Sequence, residues 1–207
     1  MLGLPVATEL RKPIFKKMVF DKFKFSAAEK QEFDKYIKQM HIAGEISPKT
    51  VNIAGAGEIR VIFLLQVTLK EKECPDKLLI HIAKLIEQKM VLVLSFANEI
   101  QLAIYHHGHL QRSAWQVAEA GCLKLQGLDM AAVWENFVLQ IGGIELEQGN
   151  SLDRQLDVNE TREKLAGEIA RLSKKMWSAR QPKAKLELRQ KINELQRKMD
   201  TLNLCFA

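Results

Sequence analysis

From Arg60 to Lys70 apolar side chains recur at every second position, with Val61, Phe63, Leu65, Val67 and Leu69 on one face and Ile62 and Leu64 joining the polar residues on the other. A period of two predicts a strand, and an unbroken apolar face predicts that something covers it. Pro75 and Asp76 then open a segment whose Leu78, Leu79, Ile82, Leu85 and Ile86 fall on one helical stripe, a suitable cover. Residues 90–97, MVLVLSFA, are apolar on both faces, as an interior strand requires. Asn98-Glu99 separates them from IQLAIYH, which predicts a hairpin, and residues 110–117 offer a further antiparallel strand.

The helical rhythm is clearest elsewhere. Ser26-Ala27-Ala28-Glu29 has the form of a capping box, and Phe33, Tyr36, Ile37 and Met40 follow at helical spacing, which predicts a helix over 27–42 with Gly44 as its stop. Asp129 caps a helix carrying Met130, Val133, Trp134, Phe137, Val138 and Ile141 on one side, closed by Gly142-Gly143. Near the C-terminus, Val158, Leu165, Ile169, Leu172 and Met176 fall on one heptad seam, and Leu188, Ile192, Leu195, Met199 and Leu202 on a second. Pro182 lies between the two seams. Inside a helix proline costs about 3 kcal/mol, whereas at a first helical position it is tolerated, so Pro182 is read as the start of a second arm.

These elements define an α+β class: a mixed or antiparallel sheet with helices packed on it, followed by a C-terminal antiparallel coiled-coil helical hairpin. The expected organisation is a globular domain over 1–143, a linker over 144–155 and the hairpin over 156–207. The 207 residues suffice for one ordinary domain with an appendage, and 47% hydrophobic against 27% charged residues excludes wholesale disorder. The longest apolar runs are far shorter than the roughly 20 residues of a spanning helix, and the N-terminus lacks a basic region ahead of an apolar core. A cytoplasmic protein without membrane association is therefore expected. Cys74, Cys122 and Cys205 are widely separated and form no CxxC pair, which fits reduced thiols.

Net charge is +6 and unevenly spread. Residues 1–50 carry ten Lys/Arg against six Asp/Glu, residues 51–150 eight against eleven, and residues 151–207 thirteen against eight. Basic ends around an acidic middle point to a polyanionic partner at one end. The densest basic run combines Lys174, Lys175, Arg180, Lys183, Lys185 and Arg189 with Trp177 and Gln181, at the expected tip of the hairpin. Cations release counterions from phosphates and an aromatic stacks on an unpaired base, so this mixture suits nucleic acid. The competing reading is a solvated coiled-coil face with Trp177 packed on the hairpin end. At the N-terminus, Arg11, Lys12, Lys16, Lys17, Lys22 and Lys24 interleave with Phe15, Phe20, Phe23 and Phe25. There the rings are expected in the core, with lysines snorkelling outward.

The catalytic inventory is empty. Gly55-Ala56-Gly57 begins like a dinucleotide fingerprint, but Arg60 occupies the third glycine position and a strand follows where a helix is needed. His106, His107 and His109 are the densest group of metal-type ligands, with His107 and His109 expected on one strand face; without a third or fourth converging ligand they read as a solvated turn. A metal-dependent nuclease would need acidic or Gln residues at set offsets before a lysine, and Lys70 is preceded by Thr68, with Gln66 out of register and Glu58 alone. No phosphate loop or nucleophile elbow occurs. No cofactor, metal or catalytic residue is assigned.

Several stretches resemble a prokaryotic domain-of-unknown-function family, number 4391: LPVATELRKPIFKKMVFDKF at 4–23, ISPKTVNI at 46–53, LKLQGLDMAAVWENFVLQI at 123–141 and QPKAKLELRQKINELQRKM at 181–199. The similar segments are packing and capping patterns and carry no catalytic signature. The resemblance implies a setting beside helicases and DNA methyltransferases of restriction or phage-defence type. The expectation is a non-catalytic accessory protein with a protein partner, a helicase or methyltransferase among the candidates, and a hairpin that contacts DNA or RNA. The alternatives are a metal-dependent nuclease or hydrolase with a scattered site, and a homodimer joined through off-seam residues such as Leu186 and Leu204.

Overall fold

The computed structural model describes residues 2–53 and 59–204, with the side chains of Asn203 and Leu204 outside that description. Gly55-Ala56-Gly57, Glu58 and Cys205 lie outside the described residues. The chain divides into two compact units, Met1–Ile144 and Glu145–Ala207.

The first unit is built on one mixed sheet. Its strands are β1 (Glu9–Ile14), β2 (Ile37–Ile46), β3 (Ile62–Leu69), β4 (Lys89–Phe96), β5 (Glu99–His106) and β6 (His109–Arg112), adjacent in that order, with β7 (Gln116–Val117) also paired to β5. Every pairing is antiparallel except β3 with β4. That parallel pair needs a crossover, and helix α4 (Asp76–Ala83) provides it. Helices α1 (Lys16–Phe23), α2 (Ala27–Tyr36) and α4 cover one face, and a one-turn helix α3 (Pro48–Val51) follows β2. Val19, Phe33, Leu79 and Ile82 pack there with Leu65, Val67, Leu92 and Leu94 of the central strands. The alternate residues Ile62, Leu64, Val91, Val93, Leu102 and Ile104 are buried too, so the central strands are apolar on both faces, as expected for residues 90–97. Helix α5 (Met130–Gly142), capped by Asp129 through Ala132 N–H, lies against β5 and β6.

The helix expected over 27–42 is shorter. Ser26 and Glu29 form the capping box, but α2 ends at Tyr36 and the chain passes directly into β2 at Ile37. Register shifts at Ile37/Gln39 and Ile42/Gly44 spoil the alternation of β2, leaving apolar residues at spacings that imitate a helix. Gly44 is thus an interior strand residue and stops no helix. A Cβ there would lie 2.9 Å from Leu64 Cδ1 and 3.1 Å from the Thr8 carbonyl oxygen. At the sheet edge, β1 carries Pro13 and an irregular register between Glu9 and Lys12, both of which blunt an edge against further pairing.

The β4–β5 turn falls on Ala97-Asn98, one residue before the expected position, with Ala97 at φ 51°. The β5–β6 hairpin turns on His107-Gly108, at φ 44° and 102°, the double positive φ of a type I′ turn.

The second unit is the helical hairpin. Helix α6 (Leu152–Ser178) begins inside the stretch read as linker, with Ser151 accepting from Arg154 N–H. Buried Gln155 ties down the preceding loop: its Oε1 accepts from Glu147 N–H and Asn150 Nδ2, and its Nε2 donates to Asn159. After the turn at 179–181, α7 (Pro182–Leu204) opens on Pro182 as expected. Leu172 and Ile192 are buried, and Leu165, Ile169, Met176, Leu188, Leu195, Met199 and Leu202 are partly so. The arms have 27 and 23 residues, so at ~1.5 Å per residue they run about 40 and 35 Å, and the first is longer than a linker reaching residue 155 allows. No helix among the described residues is long and apolar enough to cross a membrane.

Candidate nucleic-acid interface

The seam of the hairpin determines what its tip exposes. Leu172 and Met176 occupy the seam at the end of α6, so Trp177, one position further round, points off it and is 80% exposed. On α7 the seam takes Leu188 and Ile192, which leaves Leu186 outside and 59% exposed. A tryptophan left in water forgoes on the order of 3–5 kcal/mol of burial. The expectation that Trp177 packs on the hairpin end is therefore corrected.

These side chains meet in an open pocket of about 380 Å³, lined by Met176, Trp177, Pro182, Lys185, Leu186 and Arg189. Of the sequence candidates, Trp177, Lys185 and Arg189 are brought together, while Lys174, Lys175, Arg180 and Lys183 are exposed at the same end without lining it. Met176, Pro182 and Leu186 are the apolar members that the charge pattern did not single out. The α6 end is closed by Ser178 Oγ donating to the Lys174 and Lys175 carbonyls and by Ala179 N–H donating to Lys175 O.

Electrostatics makes this tip unusual for a solvated helical hairpin. Lys174 and Lys175 complement the C-terminal dipole of α6, but Lys183 and Lys185 stand in the first turns of α7, which has no acidic residue in its first turn. Cations at a helix N-terminus oppose the macrodipole by typically 0.3–1 kcal/mol, and free N–H groups there favour anions. Between residues 169 and 193 the chain carries eight Lys/Arg and one acid, Glu187. Among the described residues, none of Lys174, Lys175, Arg180, Lys183, Lys185 and Arg189 forms an ion pair, whereas further down α6 Lys164 pairs with Glu160 and Arg171 with Glu168. The aromatic setting differs in the same way. Lys72 lies over the Trp115 ring at 5.3 Å and Lys89 over Trp134 at 5.2 Å, but no cation among the described residues covers Trp177.

The other candidates are absorbed by the fold. Of the N-terminal rings, Phe25 is buried and Phe20 and Phe23 are partly buried against the core, as expected, but Phe15 is 68% exposed. Lys16 pairs with Asp34, and Lys22 donates to the Leu85 carbonyl. His106 is buried and accepts through Nδ1 from Trp134 Nε1–H at 2.9 Å, so it is no solvated turn residue. His107 sits at the turn with its ring stacked on His106 at 4.2 Å, and does not share a strand face with His109. Lys70 donates to the Asp34 carbonyl, and Thr68 Oγ1 meets Ser95 Oγ, both in packing roles. Burial pushes the Cys74 thiol up to about 12, which removes it as a nucleophile, and Cys122 is exposed.

Shifted carboxylates also serve structure. Backbone and side-chain hydrogen bonds from Ser26 bring Glu29 down to about 2, and Arg162 holds Glu147 below its usual range. Neither lines the hairpin pocket.

The model of the family described as Domain of unknown function (DUF4391) matches residues 2–199. No curated protein and no solved structure matches the chain.

Proposed function

The chain belongs to that family of unknown function, whose description names no activity, and from its residues we propose a non-catalytic interaction module that contacts nucleic acid through the hairpin tip. In this reading the α+β unit docks a protein partner in a larger nucleic-acid-processing or phage-defence assembly, and the hairpin supplies a basic contact surface. The observation that carries the reading is the accumulation at one end of the hairpin of six cations that form no ion pair among the described residues, around an indole 80% exposed. Lys183 and Lys185 oppose the α7 dipole, the clustered cations repel one another and the indole forgoes burial; phosphates relieve the first two and a stacked base the third. Docking of a protein is supported by exposed Val6, Phe15 and Met18 in the N-terminal segment.

The test is fluorescence anisotropy of labelled single-stranded and duplex DNA and RNA with the full chain, beside a variant carrying Lys174→Glu, Lys175→Glu, Lys183→Glu and Lys185→Glu. We expect saturable binding at low salt and a loss of at least roughly tenfold in the variant, since reversal replaces several phosphate contacts with repulsions. Binding that is equal in the two proteins would move the contact elsewhere on the chain. No binding at low salt would end the nucleic-acid reading.

A further inference from the structure

Resting on that reading of the tip, we infer that it takes an unpaired strand, with one base stacked on Trp177 in the pocket made with Met176, Pro182 and Leu186, and the adjoining phosphates on Lys185 and Arg189. The pocket lining is of two chemical kinds. Met176, Trp177, Pro182 and Leu186 are apolar, Lys185 and Arg189 bring one ammonium and one guanidinium group, and no carboxylate is among the lining residues. A flat uncharged ring joined to an anion matches both kinds, and a nucleotide is such a group.

Spacing agrees with a strand lying along the helix. Lys185 and Arg189 are four residues apart on α7, about 6 Å along its axis and on one face. Two successive phosphates of an unstacked strand can address them while the attached base turns inward to the indole. A duplex cannot use the pocket in this way. Its bases are already stacked, and exposing one costs a few kcal/mol, so a duplex would meet only the cations. The ring faces of Trp177 are not taken by any cation among the described residues, unlike those of Trp115 and Trp134, so the stacking surface is open. Trp177 on α6 and Leu186 on α7, both exposed, come from different arms and line the same pocket.

The full chain would be titrated into labelled dT20, a matched 20-bp duplex, and a 20-mer in which the sugars carry no bases. Trp177→Ala, Trp177→Phe and the Lys185→Glu/Arg189→Glu pair would be compared with the parent at one salt concentration. Trp177 is exposed, so its variants should keep the parent's melting temperature. Trp177→Ala is expected to weaken dT20 binding by about 5- to 150-fold, the usual range for a lost base–aromatic stack, and to change duplex binding less than about twofold. Trp177→Phe should retain most of the affinity, and the parent should bind the baseless strand about as weakly as Trp177→Ala binds dT20. The paired charge reversal should weaken all three ligands. Unchanged dT20 binding in Trp177→Ala, or equal losses on dT20 and duplex, would overturn the stacked base while leaving the basic tip as a nucleic-acid contact. Absence of binding to every ligand would overturn both.

Discussion

His81 illustrates how a single side chain makes this fold sensitive to acid. Its ring packs 4.9 Å from Phe23 and 5.0 Å from Phe25, and its Nδ1 is buried without a hydrogen-bond partner among the described residues. Burial, reinforced by nearby Lys77 and Lys84 and opposed by Glu29, lowers its pKa below the usual 6.5. The unfolded chain therefore takes up the proton first, so the stability His81 contributes is complete above pH 6.5 and is lost as pH falls below it. Urea midpoints measured from pH 8 to pH 5 should decline, and the decline should be shallower in His81→Phe, which keeps the aromatic packing without a titrating nitrogen. An equal slope in the two proteins would place the sensitivity elsewhere. Glu29 acts in a lower window. Its carboxylate is held at about 2 by Ser26, so its contribution is present above pH 4.5 and disappears as pH falls toward 2. Ser26→Ala removes the cap hydroxyl as well, and we expect a loss of about 1 kcal/mol at neutral pH, read as a fall of about 2–4 °C in Tm.

At the level of elements, β2 carries the most informative substitution. If residues 37–46 were helical, Gly44→Ala would stabilise the protein by up to about 1 kcal/mol, because alanine is the better helix former. As an interior strand residue against Leu64 and the Thr8 carbonyl, Gly44 has no room for a methyl group, and we expect a destabilisation of about 1–3 kcal/mol in equilibrium unfolding. The sign of the change decides between the two. The same segment shows what the sequence conceals. Strands β3 and β4 and helix α5 were legible because their apolar residues keep one unbroken period, and Pro182 was legible because proline permits few backbone positions. Strand β2 was hidden because its irregular registers give apolar residues a helix-like spacing, and β1 because a charged edge strand has no core-facing alternation to display. The tip was half legible. Charge density marked Trp177, Lys185 and Arg189, but their meeting with Met176, Pro182 and Leu186 depends on the rotation of one arm against the other, which no single heptad seam specifies.

For the whole molecule, the net charge of +6 is a poor guide to binding, since the acidic middle partly offsets two basic ends of similar size. What governs salt dependence is the number of phosphates neutralised, with log affinity falling against log salt at about −0.7 per contact on a single strand. If Lys174, Lys175, Arg180, Lys183, Lys185 and Arg189 all engage, the slope for dT20 should approach about −4, and a single change such as Lys183→Gln should make it shallower by about 0.7. The N-terminal segment provides the contrast. Arg11, Lys12 and Lys17 are also exposed, and they lie in the other compact unit, so charge removal there alters net charge by the same amount as removal at the tip. Neutral variants of Arg11 and Lys12 should leave the dT20 slope unchanged if the tip alone makes the contact. A slope that shallows with either set of changes would instead show a strand spanning both units, and one that responds only to the N-terminal set would assign the contact to β1 and leave the hairpin tip without a nucleic-acid role. The slope thus counts the cations that touch phosphate, a quantity that neither total charge nor affinity at one salt concentration reveals.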